Sequence, residues 1–156
     1  MSDLGTDPIL DSAVDVRGNM NSMTSPTEAD LVKLGYDVVI SGELAELRNS
    51  VRLTRNAQAN LIGVPSEHLR MWEDLSRGMN IDTALLIGEW FWGAKTALEQ
   101  GPQIDFDAFI HDSKAAQYLG IPASLVGHVA KERGLIFEDM GVLGVFIDPK
   151  SLGRKA

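Results

Sequence analysis

The chain has 156 residues, no cysteine and a net charge of −8. The lack of cysteine excludes disulfides and thiolate metal sites. The acidic total argues against a nonspecific nucleic-acid coat, although it leaves room for a small DNA-reading surface. The first residues lack the basic start and apolar core of a secretory signal.

The composition divides the chain into three regions. Residues 1–29 are rich in Ser, Gly, Asp and Asn without helix or strand periodicity, and we expect a disordered acidic tail. Residues 30–100 form the first predicted domain, which opens with an apolar segment at 30–40, either a short helix or an extended piece, and continues as helices. The breaker Gly101-Pro102 separates it from a second predicted domain, 103–156, with a short helix near Phe106, a helix pair and two strands.

The most informative stretch is the corner within residues 53–73. Thr54 is a suitable N-cap, Gly63 suits the left-handed position that ends a helix, and Pro65 suits the start of the next helix. Ala59 is small enough to let the two helices cross closely at a steep angle. The pattern predicts a helix-turn-helix.

A second corner repeats this arrangement at residues 115–122. Ala116 lies four residues before Gly120, and Pro122 follows. Further along, the β-rich segments 135–139 and 143–147 predict a hairpin. Two copies of one steric arrangement favour paired helix-turn-helix units, but the alternative is the ordinary helix–helix corner of any helical protein.

Residues 53–73 resemble the helix-turn-helix of the Cro/lambda-repressor (XRE) type. The match lies in Leu53-Thr54, Ala59, Gly63-Val64, Leu69 and Trp72-Glu73, with Leu47-Arg48 in the preceding helix. The chain departs from that pattern at Gln58, where the family prefers an apolar core residue, and at Pro65, where it prefers serine. The resemblance implies a DNA-binding unit over residues 43–100.

Residues 110–152 resemble a different family, the excisionase/MerR-like winged helix-turn-helix. The match lies in Ser113, Ala115-Ala116, Tyr118 to Ile121, Gly134 to Ile136, Ile147 to Pro149 and Leu152. The spacing from Gly120 to Gly134 is one residue longer than usual, and Gly127 falls within the second helix. We therefore expect that helix to be bent or to start late, at Ser124. The expected fold is mainly α, with two tandem helix-turn-helix units, the second carrying a small β-hairpin wing.

In such units the second helix offers its early exposed residues to base edges, and nearby cations meet phosphates. The alternative for each residue is a solvated helix face. The candidate base-reading residues are Ser66, Glu67, His68 and Arg70 in the first unit and Ser124, His128, Lys131 and Arg133 in the second. The candidate phosphate-binding residues are Arg52, Arg55, Lys114, Lys150, Arg154 and Lys155.

Trp90, Phe91 and Trp92 are consecutive within a predicted helix over residues 81–98. On a helix they spread over about 200°, which is wider than one apolar stripe. The helix is either buried on two sides within its domain, or it contacts the second domain or a second copy of the chain. Its charged residues argue against a membrane span.

The three histidines are scattered without metal-ligand spacing, and the sequence has neither a nucleophile elbow nor a phosphate loop. We expect no enzyme activity, metal or cofactor. The expected function is a sequence-specific, double-stranded DNA-binding transcriptional regulator, a phage-type repressor in a bacterial or phage-infected cytosol. The alternatives are an excisionase-like factor that bends DNA and a protein–protein interaction module built on the same fold.

Overall fold

A computed structural model describes residues 25–75 and 78–153. Most of the predicted tail, together with Arg154 and Lys155, lies outside these residues. The described chain is mainly helical with a small three-stranded antiparallel sheet, which confirms the expected fold class at that level.

In the described residues up to 100, all the regular secondary structure is helical. The helices are α1 (Glu28–Ser41), α2 (Glu43–Ser50), α3 (Arg55–Ile62), α4 (Ser66–Glu73) and α5 (Ile81–Gln100). The apolar segment 30–40 is therefore helix rather than extended chain. Helix α1 begins within the predicted tail, because Thr27 caps it in a reciprocal box with Asp30.

The second half combines short helices and strands. They are β1 (Ile110–His111), α6 (Asp112–Leu119), α7 (Val126–Arg133), β2 (Phe137–Asp139), β3 (Val145–Ile147) and α8 (Pro149–Leu152). The short helix predicted near Phe106 is wrong. Residues 106–108 form a turn, in which the N–H groups of Ala108 and Phe109 both donate to the Asp105 carbonyl.

The sheet has the order β1-β3-β2, with both pairs antiparallel. The predicted hairpin is present as β2 and β3, with Phe137 opposite Ile147. Strand β1 joins the other edge of β3, with Ile110 also opposite Ile147. This third strand precedes the second helix pair and ties its start to the hairpin.

Helices α1 and α5 cross at unusually short range. A Cβ atom on Gly35 would lie 1.8 Å from the Ala84 carbonyl oxygen, and one on Gly88 would lie 1.8 Å from the Leu31 carbonyl oxygen. The two helices run antiparallel, since Leu31 meets Gly88 and Gly35 meets Ala84. Only glycine permits this backbone contact.

The main hydrophobic core draws residues from both halves of the chain. Leu44, Trp72 and Phe91 from the first half lie in one cluster with Leu143 and Phe146 from the second. A smaller cluster beneath α6 and α7 is built around Ala115, Val126, Ala130, Leu135 and Ile147. The hairpin turn, residues 140–144, is therefore packed against α5. None of the helices in the described part of the chain is long and apolar enough to cross a membrane.

Candidate nucleic-acid interface

The first corner joins α3 to α4 through a left-handed glycine. The Thr54 hydroxyl accepts from the Ala57 N–H at 3.0 Å and so caps α3. Gly63 has φ of +95°, and its N–H and that of Val64 both donate to the Ala59 carbonyl, at 2.8 and 3.0 Å. Ala59 is fully buried at this corner, as expected for a small residue enclosed between two packed helices.

The second corner, between α6 and α7, has the same hydrogen bonds. Gly120 has φ of +67°, and its N–H and that of Ile121 both donate to the Ala116 carbonyl, at 2.8 and 3.2 Å. Residues 123–125 form a 3-10 turn before α7 begins at Val126. The late start expected for this helix therefore takes the form of a 3-10 turn, and Gly127 lies in the first turn of α7.

The polar residues of α4 pair largely with one another. The Arg70 guanidinium donates to the Glu67 carboxylate and, at 3.1 Å, to Asp74. The Glu67 hydrogen bond and charge raise the pKa of Arg70, and the Arg70 hydrogen bond lowers the pKa of Glu67. His68 lies against the Trp72 ring at 5.7 Å. Ser66 is half-buried at the helix start.

The two candidate phosphate contacts of the first half are also paired. Arg52 binds Asp107 at 2.6 Å, a contact in which both side chains are largely exposed. Arg55 binds Glu73 at 3.0 Å. Each arginine would have to share or exchange its carboxylate in order to reach a phosphate.

The candidate residues of the second half are exposed and mostly unpaired. Ser124 and His128 lie on the outer face, and His128 is 3.3 Å from Glu132. Within the described residues, the side chains of Lys114, Lys131 and Arg133 have no ion-pair or hydrogen-bond partner. Within residues 25–75 and 78–153, Lys150 forms a hydrogen bond through its backbone N–H alone. Among the candidate residues, the unpaired positive charge therefore lies on α6, α7 and α8 rather than on α4.

The aromatic run of α5 belongs to the core of the chain itself. Trp90 and Phe91 are 5% and 3% exposed, and Trp92 packs against the same cluster. The Trp90 indole N–H donates to the Val142 carbonyl in the hairpin turn at 3.0 Å. Helix α5 therefore contacts the second half of the chain through Trp90. Trp90 and Phe91 have little exposed surface left for contact with a second copy of the chain.

A buried polar network lies behind the first corner, and the sequence interpretation missed it. The Arg48 guanidinium binds Glu73 at 2.8 Å and the Gln58 side-chain oxygen at 2.7 Å. The Gln58 amide donates to the Leu44 carbonyl at 3.2 Å. Gln58, which departs from the apolar family preference, is thus a buried hydrogen-bonding partner. Polar residues at core-facing helix positions were the only signal for this network.

His111 connects the start of α6 to the hairpin turn. Its Nε2–H donates to the Leu143 carbonyl at 2.8 Å, and its Nδ1 accepts from the Ser113 N–H at 3.2 Å. Asp112 adds a second link by accepting from the Val145 N–H at 3.0 Å. Burial lowers the pKa of His111, against the opposing effect of the Asp112 carboxylate.

Because the folded pKa of His111 is lowered, the unfolded chain takes up this proton first as pH falls through about 6.5. We expect the His111 contribution to stability to be complete above that pH and to decline below it. Urea unfolding between pH 5 and 8, compared with His111→Gln, isolates this contribution from His68 and His128. NMR titration should give His111 a pKa below 6.5, and a value above 6.5 would contradict the expectation.

No group of three or more His, Cys, Asp or Glu residues suited to a metal ion occurs within residues 25–75 and 78–153. No family model matches the chain, and no curated protein or solved structure matches it.

Proposed function

We propose that the protein is a sequence-specific, double-stranded DNA-binding transcriptional regulator of the phage-repressor type, with two helix-turn-helix units. The observation that carries the proposal is the repeated corner, in which Ala59 and Ala116 each accept two N–H groups from a turn closed by Gly63 or Gly120. In each pair the second helix follows the turn and presents polar residues at the surface. That arrangement suits insertion of the second helix into a major groove.

The two units differ in their electrostatics. Helix α4 carries Arg70 between two carboxylates, whereas α7 carries Lys131 and Arg133 without partners among the described residues. We infer that the second unit supplies most of the phosphate attraction and that the first contributes selectivity. Because the hairpin turn packs on α5, the relative position of the units is set within one chain. One chain should then read an asymmetric site.

Selection of duplexes from a random library by the full chain tests the proposal. The expected result is a non-palindromic site that spans two adjacent major grooves and holds one chain by light scattering. Two chains on a palindrome would contradict the single-chain arrangement, and recovery of no preferred duplex would contradict DNA reading altogether.

Arg70 provides a sharper test on the selected duplex. Arg70→Ala should weaken binding there by about 1–3 kcal/mol, and much less on random duplex, if Arg70 reads a base. Glu67→Gln is the matched variant. It should tighten binding if Glu67 only competes for Arg70, and weaken binding at one base pair if Glu67 itself accepts from cytosine. Equal losses for Arg70→Ala on both duplexes would reduce Arg70 to a phosphate contact.

A second candidate function is a protein-binding module on the same fold. The pairing of Arg52, Arg55 and Arg70 with carboxylates favours it, since these arginines are already neutralised. An excisionase-like factor is less favoured, because the hairpin turn is packed on α5 and is not free to enter a minor groove.

A further inference from the structure

A polar groove lies between the two helix pairs. It has a volume of about 570 Å³ between α3 and α6 and is lined by Thr54, Asn56 and Asn60 on one wall and by Ser113, Lys114 and Gln117 on the other. An adjoining cavity of about 280 Å³ shares Thr54, Ser113 and Lys114 and continues past Phe106 to the exposed Arg52–Asp107 ion pair, which brings one carboxylate to that end. The two cavities form one elongated groove along the junction between the helix pairs.

The larger cavity is lined by neutral polar side chains and one lysine, without a carboxylate. Its polar side chains are amides, hydroxyls and one ammonium, and none of its lining residues is acidic, although the chain as a whole is strongly acidic. The side chains of Asn56, Asn60, Lys114 and Gln117 are exposed and have no hydrogen-bond partner in the described part of the chain. Unpaired N–H donors around a single cation suit a ligand rich in anionic oxygens.

The position of the groove indicates which anion it would take. An enclosed, mostly apolar pocket would suit a small metabolite, whereas this groove is long and has donors on both walls. The groove also runs between the first helices of the two pairs. In a helix-turn-helix complex the first helix crosses the nucleic-acid backbone while the second reads bases.

We propose that the groove between α3 and α6 binds the phosphodiester backbone of the DNA segment that runs between the two half-sites. This inference rests on the proposed function. Asn56 and Asn60 donate from one wall, and Lys114 and Gln117 from the other. These contacts hold both units on one strand without reading sequence.

Isosteric charge substitutions in the full chain test the groove. Asn56→Asp and Gln117→Glu keep side-chain size but place a carboxylate against the phosphates. Each should weaken binding about tenfold or more on both the selected and the random duplex. Gln100→Glu adds the same charge at the exposed end of α5, outside the groove, and should change affinity little. Lys114→Gln should reduce the salt dependence of binding by about one phosphate contact.

Neutral backbone analogues identify the partner of the groove. Methylphosphonates can replace the phosphates between the half-sites of the selected duplex. Asn56→Asp should bind that neutral duplex about as tightly as the unaltered chain does, since no phosphate charge remains to repel the carboxylate. A penalty that persists on the neutral backbone would overturn the inference, as would groove variants that bind like the unaltered chain. In that second case a normal effect of Arg70→Ala would leave the proposed function standing, whereas failure of the unaltered chain to select any duplex would remove both.

Discussion

Gly88→Ala is expected to lower the free energy of unfolding by about 3 kcal/mol or more. Alanine is a better helix former than glycine by about 1 kcal/mol, so helix propensity alone predicts stabilisation. The packing of α5 against α1 determines that the substitution destabilises the protein. The added methyl would lie 1.8 Å from the Leu31 carbonyl oxygen, which belongs to the backbone of α1 and cannot rotate away. The helices must therefore separate, and this opens space around buried residues such as Leu34 and Ile87.

Urea unfolding of the full chain measures the loss, and the melting temperature should fall by roughly 6–12 °C. Gly35→Ala should behave alike, because its methyl would meet the Ala84 oxygen at 1.8 Å. Gly127→Ala is the matched control, since its methyl would approach only the Val145 side chain at 3.3 Å. The Val145 side chain must shift by a few tenths of an ångström to admit this methyl, so the control should cost far less than Gly88→Ala. Stability unchanged by Gly88→Ala would mean that the crossing is wider than described.

Glu73→Ala is expected to lower the free energy of unfolding by about 3–5 kcal/mol, because it leaves the buried Arg48 charge without its carboxylate partner. Both partners of the 2.8 Å pair are about nine-tenths buried, and Glu73 also accepts from Arg55. Gln58 would be left as the only other side chain that bonds the Arg48 guanidinium among the described residues. Urea unfolding at neutral pH gives the measurement.

Two further variants show whether the loss of stability comes from leaving a buried charge unpaired or simply from breaking an ion pair. Asp107→Asn breaks the exposed pair with Arg52 and should cost less than about 1 kcal/mol. The triple replacement Arg48→Met, Gln58→Leu and Glu73→Leu removes both buried charges and the buried amide bonded to Arg48, and it should recover most of the stability. If Glu73→Ala costs no more than Asp107→Asn, the network does not stabilise the fold as inferred.

The sequence predicted the parts of the fold that depend on local chemistry. Gly63 and Gly120 could be placed at helix ends because a left-handed turn is a property of a few adjacent residues. The hairpin followed from its β-rich segments. Strand β1 could not be predicted, because two residues become a strand only through pairing with β3. Residues 106–108 form a turn in place of the predicted helix, and the Asp105 carboxylate accepts from the Asp107 N–H within it.

The candidate site was less predictable because its contacts join distant residues. From the sequence, Gly35 and Gly88 only lower helix propensity. The structure shows that the close contact between α1 and α5 requires both of them. The pairing of Arg70 with Asp74 fits the helical spacing, but Arg52 with Asp107 does not follow from any short motif. The groove joins Asn56 to Gln117, two residues that no short motif brings together.

The packing of the hairpin turn on α5 also constrains how a binding site for this protein would evolve. If both units read DNA, their separation is fixed by the contacts around Trp90 and Leu143 rather than by a flexible linker. Inserting one base pair between the half-sites shifts them by about 3.4 Å and rotates one against the other by roughly 35°. A rigid chain cannot follow that rotation. Functional sites in a genome would then share one spacer length, and single-base insertions or deletions there would abolish regulation as effectively as loss of a half-site.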